Sequence, residues 1–137
     1  MEFKYITMRF ILLFMFTSLL VNAQNNSLTP FEKGNKNQST TYEECVSFYQ
    51  LLDTNSDKIE MKTMGLTDSG KPLHIVVFSE NKDFSFNQNK AVLLVNNGIH
   101  PGEPDGIDAT MMLMRDLTNA KIKVPKNTIV VAIPVYN

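Results

Sequence analysis

One segment organises this sequence: Ala91-Val92-Leu93-Leu94-Val95-Asn96-Asn97-Gly98-Ile99-His100-Pro101-Gly102-Glu103. Its first residues form an uninterrupted apolar run, which is typical of a β-strand covered on both faces. The segment then carries an imidazole and a carboxylate into a loop, and an amphipathic helical pattern begins directly afterwards. That helix is predicted to bury one stripe of side chains, Ile107, Met111 and Met114 with Met112 and Leu117 on its flank. Open α/β sheets place their functional groups at such strand-to-helix corners.

The corner offers two candidate metal ligands, His100 and Glu103. A neutral imidazole nitrogen and a carboxylate oxygen three residues apart can bind one zinc ion from the same side. A catalytic zinc site usually has three protein ligands, so the third is either His74, a carboxylate, or absent from this chain. The alternative reading is a polar turn centred on Pro101-Gly102. The acidic residues that open the helix, Asp105 and Asp108, are either outer partners of the metal ligands or ordinary first-turn carboxylates that the helix dipole favours.

The remaining patterns place this corner in an α/β fold. Thr41-Tyr42-Glu43-Glu44 has the form of a capping box and predicts a helix over residues 41–52. A β-hairpin is predicted from strands at 58–64 and 73–79, and a surface loop follows at 80–90. The last strand is predicted at 128–136. The order strand, helix, strand implies a right-handed crossover between parallel neighbours. His74 lies in the middle of a predicted strand and is interpreted as a structural or surface histidine.

The single cysteine, Cys45, has no disulfide partner in the chain, and its helical spacing with apolar neighbours predicts a core residue rather than a reactive thiol. The formal net charge of -1, from 13 basic and 14 acidic residues, gives no electrostatic reason to expect a nucleic-acid partner.

The first 23 residues have the pattern of a signal peptide. Lys4 and Arg9 precede an apolar run, and Val21-Asn22-Ala23 resembles a cleavage site. The run is shorter than the roughly 20 residues that span a bilayer, so we expect cleavage, no stable membrane insertion afterwards, and a secreted or periplasmic location. Residues 24–39 are polar without an apolar period and predict a flexible lead-in, followed by one domain over 40–137.

Four segments in order resemble the carboxypeptidase A-like metallocarboxypeptidases. They are, along the chain, the capping box, the turn from Gly65 through Leu73, the corner followed by its apolar helix, and Pro134-Val135-Tyr136-Asn137. The likeness covers residues 40–137 and matches only the N-terminal portion of that family. It implies a three-layer α/β/α domain with a mixed, partly parallel sheet, Zn²⁺ as the cofactor, and His100 and Glu103 as metal ligands.

The resemblance also implies hydrolysis of peptides at their C-termini. The family's third zinc ligand, its general base and its substrate-binding residues would follow Asn137, so no catalytic or substrate-binding residue is assigned here. We therefore expect an N-terminal fragment that binds zinc weakly and is inactive alone, with the strand at 128–136 left as an apolar, aggregation-prone edge. The alternatives are a zinc amidase or deacylase of the aspartoacylase type, acting on acylated amino acids, and a non-catalytic secreted binding module.

Overall fold

The computed structural model describes residues 28–100 and 102–137. The predicted signal peptide and the start of the lead-in lie outside these residues. The described part contains helices α1 (Pro30–Lys33), α2 (Tyr42–Asn55) and α3 (Asp105–Thr118) and strands β1 (Ile59–Leu66), β2 (Pro72–Ser79), β3 (Ala91–Asn96) and β4 (Thr128–Ile133). None of the helices within it is long and apolar enough to cross a membrane.

The four strands of the described residues form one sheet in the order β1-β2-β4-β3. The pairs β1–β2 and β2–β4 are antiparallel, whereas β3 and β4 are parallel and joined through α3. The predicted α/β class with a mixed, partly parallel sheet is therefore confirmed. Because β3 and β4 run in the same direction, the loops that follow them meet at one edge of the sheet.

Helix α2 begins at the capping box that the sequence predicts. The Thr41 hydroxyl accepts a hydrogen bond from the Glu44 N–H (3.2 Å), and the Glu44 carboxylate accepts one from the Thr41 N–H (2.8 Å). These reciprocal bonds satisfy donors that the first helical turn leaves unpaired. The helix continues to Asn55, three residues beyond the predicted end.

Both long helices pack on one face of the sheet. Their buried side chains meet alternate residues of the strands in a single core, formed by Cys45, Phe48, Tyr49, Leu52, Met111, Met114 and Leu117 against Ile59, Val76, Phe78, Val130 and Ala132. The alternation follows from the two-residue period of a strand. The methionines of α3 thus have the packing role expected from their helical spacing, and Cys45 is a core residue as predicted.

We expect the Cys45 thiol to be unreactive in the folded chain. Burial raises its pKa to about 12, and the negative charge of Asp108 acts in the same direction. A disulfide reagent at about pH 8 should therefore label the folded chain at least about a hundredfold more slowly than the urea-unfolded chain. Labelling at similar rates in the two states would contradict the buried position of this side chain.

The opposite face of the sheet carries a smaller core. Val77, Ile129 and Val131 are buried there, and Phe84 of the loop between β2 and β3 packs against them. The Lys90 ammonium holds this loop by donating to the carbonyl oxygens of Asp83 and Ser85, each at 2.9 Å. The loop predicted over residues 80–90 therefore covers part of the sheet.

Strand β3 differs from its prediction. Val92, Leu93 and Leu94 are 49%, 51% and 59% exposed, so within the described residues this strand is an open edge and is not covered on both faces. Strand β4, predicted to be left as an apolar edge, instead lies between β2 and β3 and is buried. The two apolar runs look alike in sequence. Strand order depends on pairing between distant residues, so the sequence did not indicate which of the two strands would be the edge. The exposed apolar edge is therefore β3 rather than β4, and we expect edge-to-edge association there.

The predicted lead-in also differs from the structure. Residues Pro30–Lys33 form a helical turn with its own capping box, in which Thr29 is fully buried and pairs with Glu32. The Glu32 carboxylate also accepts a 2.5 Å hydrogen bond from the buried Arg115 of α3. These contacts attach residues 29–33 to the domain, which the polar composition did not predict.

Candidate metal-binding corner

The two predicted ligands lie in the loop between β3 and α3 and face each other. Nδ1 of His100 is 3.1 Å from Oε2 of Glu103, and the Glu103 N–H points to the His100 carbonyl oxygen at 3.4 Å. The side chains are 73% and 72% exposed. The structure therefore brings together the imidazole and the carboxylate that the sequence singled out, on a surface open to solvent.

Their separation fits a shared zinc ion. Nitrogen and oxygen ligands lie about 2.0–2.2 Å from Zn²⁺, so two of them in tetrahedral coordination are about 3.3 Å apart. The observed distance of 3.1 Å between Nδ1 and Oε2 is close to that value. A neutral nitrogen and an anionic oxygen are also ligand types that zinc commonly takes in proteins. The same distance is that of a direct hydrogen bond between the imidazole and the carboxylate, and a bound ion would take the place of that hydrogen bond.

Two glycines shape the backbone on either side of His100. Gly98 and Gly102 have φ angles of 60° and 90°, a region that disfavours other residues. At Gly98 a Cβ atom would also lie 3.2 Å from Val135 Cγ1 and 3.3 Å from Ile107 Cδ1, closer than ordinary contacts. The loop therefore approaches both α3 and the segment after β4 tightly at this point.

The segment that follows β4 runs beside the corner. The Tyr136 N–H donates to the Asn97 carbonyl oxygen (2.9 Å), and the Asn137 N–H donates to that of Gly98 (3.1 Å). The carboxyl ends of the two parallel strands thus meet, which is where ligands bind in open α/β sheets.

The acidic residues at the start of α3 have different surroundings. Asp105 is exposed, whereas Asp108 is buried and its Oδ1 accepts a hydrogen bond from the Thr40 N–H at 3.2 Å. Burial raises the pKa of Asp108, and the nearby negative charges of Asp105 and Glu44 add to that effect. The hydrogen bond between Thr40 and Asp108 therefore attaches the start of the domain to α3.

His74 lies on β2, away from the β3–α3 loop in the sheet order. Its Nδ1 is 3.1 Å from the Thr63 hydroxyl, its ring stacks on Tyr42, and burial lowers its pKa. Within residues 28–100 and 102–137, no group of three or more His, Cys, Asp or Glu side chains could hold a metal ion. Neither His74 nor a described carboxylate therefore completes the pair as a third ligand.

Sequence reasoning missed Asn97, which is buried at the end of β3 beside an exposed loop. The Asn-Asn-Gly sequence at this point is equally typical of an exposed turn. The burial of one asparagine and the exposure of the other are fixed by contacts with α3 and β4, which no local pattern reveals.

Comparisons with known proteins agree with the α/β fold described above. The family model described as zinc carboxypeptidase matches residues 45–137. Among solved structures, carboxypeptidase A from Helicoverpa armigera is similar at 19% identity and a TM-score of 0.62, over 72% of this chain and 24% of that chain. Bovine thrombin-activatable fibrinolysis inhibitor, in complex with tick carboxypeptidase inhibitor, is similar at 18% identity and a TM-score of 0.60, over 72% and 31%.

A further structure of thrombin-activatable fibrinolysis inhibitor is similar at 19% identity and a TM-score of 0.60, over 72% of this chain and 25% of that one. The matched region thus spans about a quarter to a third of the length of these proteins. No curated protein matches the sequence. At these identities the likeness to solved structures shows the fold alone.

Proposed function

Because this chain belongs to the zinc carboxypeptidase family, we propose that it carries part of the metal site of a zinc-dependent carboxypeptidase, with His100 and Glu103 as two of the metal ligands. The observation that supports this proposal is the 3.1 Å separation of Nδ1 and Oε2, which matches two ligands of one tetrahedral ion. The substrate is proposed to be the C-terminal end of a peptide, in the secreted or periplasmic space that the predicted signal peptide implies.

The chain's own residues supply charge and orientation at this site. His100 would present a neutral Nδ1 lone pair and Glu103 an anionic oxygen, and the exposure of both leaves room for a substrate. A bound zinc ion would supply Lewis acidity toward the scissile carbonyl group and lower the pKa of its water. We propose that the third ligand and the general base come from outside residues 28–100 and 102–137, and that the 137-residue chain alone does not hydrolyse peptides.

Titration with Zn²⁺ tests the ligand assignment. We expect the metal-free wild-type chain to bind zinc weakly, and His100→Ala and Glu103→Gln each to weaken binding by more than about tenfold. Loss of a residue that only supports a ligand already costs about 10–100-fold in known sites, so loss of a ligand should cost no less. His74→Ala is the matched control, because the His74 ring is hydrogen-bonded to Thr63 and lies away from the corner. The zinc affinity of this variant should stay within about twofold of that of wild type.

Equal zinc affinity in wild type and His100→Ala would rule out the assigned ligands. Hydrolysis of a C-terminal peptide substrate by the purified chain, abolished by His100→Ala, would show that the chain is active alone and overturn that part of the proposal.

A further inference from the structure

We propose that Asn97 is a positioning residue for the metal-binding corner. Its side chain fastens the loop that carries His100 and Glu103 both to α3 and to the end of β4. This inference rests on the proposed function, because it concerns how the two ligands of that site are held.

Asn97 is the buried residue of an otherwise exposed stretch. It is 5% exposed, whereas Asn96, Ile99 and His100 are exposed to solvent. A buried amide without hydrogen bonds would destabilise the fold, so the partners of Asn97 identify what its side chain does.

On one side Asn97 is bound to the end of β4. Its side-chain Nδ2 donates to the Ile133 carbonyl oxygen at 3.2 Å, and its backbone N–H donates to the same oxygen at 3.1 Å. Its own carbonyl oxygen accepts from the Tyr136 N–H at 2.9 Å. Backbone and side chain together fix the point at which the loop leaves β3.

On the other side Asn97 is bound to α3. The buried Thr110 hydroxyl donates to Oδ1 at 3.2 Å. Gly106 lies against the same oxygen, since a Cβ atom added there would be 2.9 Å from Oδ1. The position requires a group that donates on one side and accepts on the other, which an amide provides and a carboxylate or aliphatic side chain does not.

These contacts close the loop that contains both candidate ligands. The hydrogen bond between Asn97 and Thr110 spans the chain on either side of His100 and Glu103. Fixing the two ends of a loop reduces the conformational entropy that its residues lose when they bind a ligand. Asn97 would therefore raise zinc affinity by holding the ligands near their bound geometry, without touching the ion.

Zinc titration of the full 137-residue chain with three threonine variants tests this role. Thr110→Val removes the hydroxyl that binds Oδ1, and we expect zinc affinity to fall about threefold to tenfold, below the effect of losing a partner that contacts a ligand directly. Thr110→Ser keeps a hydroxyl and should restore affinity to within about twofold of wild type. Thr118→Val is the matched control, because its hydroxyl donates to the Met114 carbonyl oxygen of the same helix and not to the loop.

A second measurement requires no metal. Nitrogen-15 relaxation should show backbone order parameters near about 0.85 for Gly98, Ile99 and His100 in wild type and Thr118→Val, and values falling toward about 0.6 in Thr110→Val. Unchanged order parameters in Thr110→Val would overturn the positioning role, as would equal zinc affinity of Thr110→Val and Thr118→Val in a chain that binds zinc. If wild type binds no zinc, the proposed function fails, and relaxation alone decides the role of Asn97.

Discussion

Replacing Val130 with lysine is expected to unfold the chain, whereas replacing its strand partner Leu93 with lysine is expected to change stability by less than about 1 kcal/mol. The two residues are paired in register on β4 and β3, but Val130 is 1% exposed and Leu93 is 51% exposed. At position 130 the lysine would place an unpaired charge in the core beneath α2 and α3. We expect a cost above about 4 kcal/mol, comparable with the whole stability of a domain at the lower end of the usual range of roughly 5–15 kcal/mol.

Urea unfolding followed by circular dichroism measures both effects. Val130→Lys should lack a folded baseline at about 25 °C, and Leu93→Lys should retain the wild-type midpoint. Sedimentation should also show less self-association for Leu93→Lys than for wild type, because a charge on an open edge opposes pairing with other strands. Equal destabilisation by the two lysines would mean that β3 is covered in solution.

The same pair of strands shows which features of the sheet could be predicted from the sequence and which could not. The apolar runs at 91–95 and 129–133 are recognisable as strands, since each is short, rich in branched residues and bounded by turn residues. Which strands lie beside them is not recognisable, because β4 pairs with β2 over separations from 50 residues (Ser79 with Ile129) to 56 residues (Val76 with Ala132). Elements and their types follow from local patterns, whereas strand order is a property of the whole chain.

The candidate site divides in the same way. His100 and Glu103 could be found because they are close in sequence and because a strand and a helix on either side fix their setting. Asn97 meets Thr110 and Ile133 only in the folded chain, and their residue types are ordinary for a turn, a helix and a strand. Gly98 and Gly102 were the other local indication of a tightly turned loop, because both adopt positive φ angles that disfavour other residues.

Replacing Arg115 with methionine is expected to destabilise the chain by about 3 kcal/mol, at the low end of the effect of breaking a buried ion pair. The Arg115 guanidinium is buried and donates to Glu32 at 2.5 Å and to Asp116 at 2.9 Å. The carboxylates of Glu32 and Asp116 are partly exposed, so water would hydrate them in the variant and offset part of the lost interaction with Arg115. Lys121→Met is the control, because Lys121 lies 3.5 Å from the same Asp116 on the exposed surface and should cost less than about 0.5 kcal/mol.

The dependence of this effect on pH separates the ion pair from simple packing. Burial alone would raise the pKa of Glu32, but hydrogen bonds from Arg115 and the Thr29 N–H outweigh it and hold the pKa below its ordinary 4.5. The hydrogen bond from Arg115 likewise lowers the pKa of Asp116 below 3.8. A carboxyl group whose pKa is lower in the folded state than in the unfolded state stabilises the fold at pH values above the unfolded-state pKa. That stabilisation is lost as the pH falls through the folded-state pKa.

The stability difference between wild type and Arg115→Met, measured by urea unfolding, should therefore be largest near about pH 7 and smaller near about pH 3, which lies below the ordinary pKa values of the two carboxyl groups, 4.5 and 3.8. The methionine retains most of the aliphatic length of arginine, so packing losses are small and independent of pH. A difference that stays constant between these two conditions would show that Arg115 stabilises α1 and α3 through packing, with no net contribution from its charge.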